Sequence, residues 1–131
     1  ARAYERMRQD IPNAKVDENG EIGYLRALAA TGEQAKLAPL LDKAIAEGTR
    51  HAVAVAQVLR GNLRLAAGDT EGALLDFLRT SEFYKEFKDV RPEALYQAML
   101  CMEKMKNTGA EALKMALRDE FPGNEFTKKL N

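Results

Sequence analysis

Tryptophan is absent from this sequence, and cysteine and histidine occur once each, as Cys101 and His51. A single cysteine cannot form an intrachain disulfide, and one cysteine with one histidine falls short of the ligand set of a structural zinc site. No Ser or Cys is placed by sequence to use His51 as a base, so nucleophilic catalysis has no visible constellation. Charge of one sign is also missing in excess. Twenty basic and twenty acidic residues cancel, where a nucleic-acid binder usually carries a basic surplus. The longest apolar block, Ala52 to Ala56, is far short of the roughly 20 residues that span a bilayer. Gly68, Gly72 and Gly109 lack the Lys-Ser or Lys-Thr context of a phosphate loop. The chain opens with ARAYERMRQD, without an initiator Met or a signal peptide. It reads as a piece of a longer protein, so missing targeting signals say little about the full chain.

What remains is helical. Ala, Leu, Glu, Lys and Arg dominate, strand-favouring residues are sparse, and 131 residues suit one domain. The clearest stretch is Gly61 to Thr80, GNLRLAAGDTEGALLDFLRT. It contains the end of one helix, a Gly68-Asp69 turn and the start of a second helix, with Ala73, Phe77 and Ser81 at helical spacing beside Leu74, Leu78 and Tyr84. Gly61 and Ala73 are small enough to let two helices approach closely. Around this unit the same pattern recurs. A leading helix with Tyr4, Met7 and Ile11 stops at Pro12. Residues 13–23 read as a polar loop with an Asn19-Gly20 turn. Helices are expected over 22–30, with Leu25, Leu28 and Ala29 inward, and over 33–47, with Leu37, Leu40, Leu41, Ala44 and Ile45 inward. Pro39 either kinks the second of these or lies in its first turn. Thr49 is a fair N-cap for the helix running to Ala67. The next is expected over 70–86. Pro92 opens a helix to Lys106 with Leu95, Ala98, Met99, Met102 and Met105 to one side. A last helix over 110–120 turns Leu113, Ala116 and Leu117 inward.

The pieces repeat. Gly32 and Gly68 lie 36 residues apart, and Ala73 and Ala112 lie 39 apart. LAATGEQAKLAPLLDKA aligns over LAAGDTEGALLDFLRT with one gap, and RQDIPN resembles RDEFPGN. The organisation expected is all-α. A leading half-repeat helix over 1–12 precedes helix pairs at 22–48, 49–88 and 91–122, and a tail follows over 123–131.

Gly61, Gly68 with Asp69, Ala73, Phe77 and Thr80 carry the spacing of the second half of a tetratricopeptide repeat, and the central unit resembles that family. The match departs earlier. Gln57 stands where the family has a large Trp-type residue, Arg60 where it has Leu, and Arg64 where it has Tyr. The flanking units match more loosely, with Ala98 in place of Gly61, Ala112 or Leu113 in place of Ala73, and Leu37 in place of the small Ala. The resemblance implies a right-handed superhelix whose inner surface, lined by the first helix of each pair, holds a peptide or a partner helix. The inner positions carried over by register are Val58, Leu59, Asn62 and Leu65, then Leu95, Tyr96, Met99 and Met102. Asn62 stands where these repeats often hold a peptide backbone. The Lys that would complete a carboxylate clamp is Val58 here, so a chaperone-type tail is not expected. RDEFPGNEF is also similar to endings of repeat proteins in the bacterial cell envelope, which tilts the compartment towards the envelope or periplasm.

For each residue a plainer role competes. Most of these inner side chains could simply pack between helices. His51 reads as a surface histidine and Cys101 as a small core residue. Asp17, Asn19 and Glu21 alternate like a calcium loop, but the turn glycine would fall on Ile22 and the bidentate Glu on Leu28. The acidic pairs Asp17-Glu18 and Asp119-Glu120 read as solvated. Lys85, Lys88, Arg91, Lys104 and Lys106 could form a basic rim, but Glu82, Glu86, Asp89 and Glu103 interleave with them, and salt-laced helix faces are the expected reading. The expected function is therefore a protein or peptide scaffold without catalytic residues, metal, cofactor, nucleic-acid partner or membrane insertion. A rival reading is a structural module that stacks through its end faces, with a homo-oligomer through Tyr4, Met7 and Ile11. An enzyme would need convergent polar groups in a pocket, and the sequence names none.

Overall fold

The computed structural model describes residues 18–130. The expected leading helix over 1–12, with Tyr4, Met7 and Ile11, lies outside the described residues. Within them the chain is helical, without strands: α1 (Glu18–Thr31), α2 (Gln34–Glu47), α3 (Arg50–Ala66), α4 (Thr70–Phe83), α5 (Arg91–Lys104), α6 (Ala110–Glu120) and a single-turn α7 (Glu125–Lys128). Each helix packs against its neighbour in chain order. In addition α1 touches α3, and α7 touches α5 as well as α6.

The turns follow from local chemistry. Gly32 and Gly68 adopt φ of +76° and +89°, a left-handed conformation that a β-carbon penalises. Thr49 caps α3 by accepting from Ala52 N–H at 3.3 Å, and Asp69 caps α4 by accepting from Gly72 N–H at 2.9 Å. Pro92 is the second residue of α5, where its missing N–H costs nothing. Pro39 lies inside α2, beyond the first turn.

Two boundaries differ from the sequence expectation. Residues 18–21, expected as loop ahead of a helix over 22–30, are already the first turn of α1. Burial of Ile22 at 3% exposure and Leu25 at 2% outweighs the turn preference of Asn19-Gly20. At the other place α5 ends at Lys104, because Lys106 takes φ of +57° and breaks the helix. Met105, expected inward, is therefore 40% exposed.

The central core forms where Gly61 meets Phe77. A β-carbon built on Gly61 would lie 2.7 Å from the Phe77 ring, which is itself fully buried. Ala54, Ala73, Ala94, Leu95, Ala98 and Leu117 complete this cluster. A second cluster joins α1, α2 and α3 through Leu25, Leu28, Leu37 and Leu41.

Among the described residues two charged side chains belong to the interior. Asp76, on α4 between Ala73 and Phe77, has no solvent exposure. Arg60 donates to it from Nη2 at 2.8 Å, Arg64 from Nη1 at 3.0 Å and Arg79 from Nη1 at 3.4 Å. Arg60 also reaches Asp42 at 3.1 Å. Hydrogen bonds to Asp76 hold the Arg60 guanidinium above its ordinary range, against the opposing effect of burial. Arg91, expected on an exposed, salt-laced face, is instead 3% exposed. Its Nε donates to Ser81 O at 2.8 Å, its Nη1 to the Glu120 carboxylate, and its guanidinium lies 5.8 Å from the Phe121 ring centroid. It thus ties the ends of α4 and α6 to the start of α5. Cys101 is a core residue at 1% exposure, and burial pushes its thiol up.

Candidate functional site

A groove of about 310 Å³ runs between α1, α3, α5 and α7. Val55, Val58 and Leu59 of α3 line it with Val90 at the start of α5 and Phe126 of α7. The helical period dictates the first part. Val58 and Leu59 lie three and four residues after Val55, and Asn62 three after Leu59, so they share a face of α3. Val55 and Val58 are nearly closed to solvent, whereas Leu59 is half-buried.

The wall carries the charge. Asp89 accepts from Arg26 Nη2 at 3.0 Å, and His51 Nε2 lies 2.8 Å from the same Asp89 oxygen. His51 is therefore not a free surface group. Its ring stacks on Phe87 with centroids 4.7 Å apart. Burial works to raise the Asp89 carboxyl, but the hydrogen bonds from His51 and Arg26 outweigh it and hold the group below the usual carboxylate range. Glu93 accepts from Asn62 Nδ2 at 3.2 Å. Glu125 stands at the start of α7. Glu93 and Glu125 both line the groove, and no cation among the described residues pairs with either.

The eight residues carried over from the repeat register separate in the structure. Val58 and Leu59 line the groove, and Asn62 stands at its edge through Glu93. Tyr96 is half-buried and packs on Phe126, with centroids 5.5 Å apart. Lys129 Nζ lies 5.6 Å from the Tyr96 centroid. Leu95 and Met99 are buried in the central core, and Leu65 and Met102 pack partly buried against it. The groove's other wall was not visible in the sequence. The tail turns back onto α5 because Asn124 caps Phe126 N–H at 2.9 Å and Thr127 Oγ1 donates to Phe121 O at 2.6 Å. That fold-back brings Glu125 and Phe126 to Val58. The cue in the sequence was Asn124 ahead of Glu125, an N-cap residue before an acidic first turn.

The Asp89 cluster has a pH consequence. A carboxyl held low in the folded state stabilises it above the ordinary carboxylate range, and that contribution disappears as pH falls through the depressed value. The Asp89 carboxyl ¹³C signal is expected to titrate below the ordinary aspartate range and to move upward in Arg26→Ala. A transition at or above the ordinary value in the unsubstituted chain contradicts the assignment.

No group of His, Cys, Asp and Glu among the described residues could hold a metal ion. No helix among them is long and apolar enough to cross a membrane. Comparison with known protein families, with curated proteins and with solved structures gave no match to this chain.

Proposed function

We propose that the chain is a non-catalytic protein-interaction scaffold built of tetratricopeptide-like helix pairs. Its groove between α1, α3, α5 and α7 takes a segment of a partner protein carrying an apolar side chain beside Lys or Arg. One observation carries the reading: Glu93 and Glu125, which pair with no cation among the described residues, line the groove beside the apolar Val58, Leu59, Val90 and Phe126. An apolar floor binds by area removed from water, and carboxylates on its wall select against acidic segments and favour basic ones. The repeat reading is supported by the close approach of Gly61 to Phe77 and by the order in which the helices pack. A right-handed superhelix and an envelope location both extend that reading.

Selection of random dodecapeptides on the immobilised chain tests the proposal. Enriched peptides are expected to pair a bulky apolar residue with Lys or Arg, to weaken as salt rises, and to lose about tenfold in affinity against Glu93→Lys. Phe126→Ala is expected to weaken them by a similar factor. Enrichment of acidic peptides, or binding that ignores both substitutions, overturns it.

A further inference from the structure

A second hollow lies elsewhere on the molecule, between α2, α3 and α4, with a volume of about 380 Å³. Its lining is Ile45, Val53, Gln57, Arg79, Phe83 and Tyr84. Gln57 is the unusual member. It is 2% exposed, and its Oε1 is buried without a hydrogen-bond partner among the described residues. A buried, unpaired amide oxygen costs free energy, and here it belongs to a side chain lining an open hollow. Rotation about its terminal torsion, which is soft, turns the carbonyl towards a donor entering from outside. Phe83, at the rim, is 72% exposed.

The charge here is of the opposite sign to that of the first groove. Three guanidiniums converge on Asp76, and among the described residues only Asp42 adds a further carboxylate, so the cluster keeps an unbalanced positive charge. Arg79 makes the longest contact to Asp76, at 3.4 Å, and its side chain is 48% exposed. The surplus is therefore displayed on the wall of this hollow. Arg50, over the other end at 4.5 Å from the Tyr84 centroid, is already occupied by Glu86.

We infer that this hollow is a second docking site, for an acidic peptide segment of a partner protein. A bulky apolar side chain of the segment sits on Ile45 and Val53 beside Phe83, a neighbouring carboxylate meets Arg79, and a backbone N–H reaches the Gln57 carbonyl. Peptide chemistry supplies all three at once: an apolar anchor, an anion and a donor. A second copy of this chain docking by its own equivalent surface sets Arg79 against Arg79 across a two-fold axis, which disfavours it. The inference is independent of the first groove, which has its own residues and the opposite charge.

The test is a nuclear magnetic resonance titration of the ¹⁵N-labelled chain with two decapeptides. Each has a central Phe-Leu pair, flanked by Asp and Glu in one and by Lys and Arg in the other. The acidic peptide is expected to produce saturable shifts at Ile45, Phe83 and the Gln57 side-chain amide, and the basic peptide to leave them unmoved. Arg79→Gln is expected to weaken the acidic peptide about tenfold. Gln57→Leu is expected to weaken it while leaving the melting temperature unchanged or higher, since an unpaired polar group is removed. Shifts absent from these residues, equal response to both peptides, or full affinity in Arg79→Gln or Gln57→Leu overturns the inference. So do shifts at these residues that follow protein concentration without peptide, which assign the hollow to a second copy.

Discussion

Asp76→Ala is expected to destabilise the chain by about 3–5 kcal/mol, the usual cost of removing one partner from a buried charge cluster. The reason is what it leaves behind. Arg60 and Arg64 stand one turn apart on α3, and both donate to Asp76. Arg60 is largely buried, with 18% of its side chain exposed. Without the acid, like charges face one another at a partly desolvated site. In a domain of this size the melting temperature should drop by at least about 8 °C. Asp76→Asn, which keeps the shape and removes the charge, should recover only part of the loss. The triple variant Arg60→Leu, Arg64→Tyr, Asp76→Leu should return to wild-type stability or exceed it, because a packed apolar set commonly replaces a buried ion cluster without loss. Thermal unfolding followed by circular dichroism measures all three. A loss below about 1 kcal/mol for Asp76→Ala would mean that the cluster is a surface arrangement of the kind worth little.

Gly61→Ala should cost about 1–3 kcal/mol through overpacking, although alanine is the better helix former by roughly 1 kcal/mol. Its β-carbon would meet the Phe77 ring at 2.7 Å, and the ring is enclosed on every side. Phe77→Ala should cost more, about 3–5 kcal/mol, as a large core side chain lost to a cavity. The sharper expectation is their coupling. Phe77→Leu frees space at the ring edge, so Gly61→Ala should cost less in that background than in the wild type, by about 0.5–3 kcal/mol. Urea unfolding of the four chains gives the cycle. Additive costs, or a Gly61→Ala chain more stable than the wild type, would contradict the close approach of α3 and α4.

These two sites show which features of the fold can be read from sequence. Gly61, Ala73 and the Gly68 turn were legible because close approach and left-handed backbone each call for a small residue at a fixed place. The Thr49 cap is local by nature, and so is the start of α5 at Pro92; Asp69, read as a turn residue, proves to be the cap of α4. Asp76 was not legible. A carboxylate between two core positions looks like a surface residue until its partners, 16 and 12 residues away in sequence, are seen across the helix pair. A signal existed: Arg60 and Arg64 stand where the repeat pattern has Leu and Tyr, and two inward cations require an anion on the facing helix. Arg91 escaped notice for the same reason, its carboxylate lying 29 residues on.

One wall of the candidate groove was marked in the sequence, by resemblance rather than by period. Val58, Leu59 and Asn62 share a face of α3, and the tetratricopeptide-like register singled them out. Leu95 and Met99 belong to the core because α5 is covered on more sides than an inner-surface helix with one free face. The wall formed by Glu125 and Phe126 depends on the fold-back of a short tail, and periodicity cannot reveal that in a helix of four residues.

The most direct measurement of the groove's role is a resonance titration of the labelled chain with a peptide enriched in the random selection. Saturable shifts concentrated at Leu59, Asn62, Glu93 and Phe126, lost in Glu93→Lys, are the expected result. Shifts confined to α2 and α4, or absent at saturating peptide, would contradict a peptide-docking groove between α1, α3, α5 and α7.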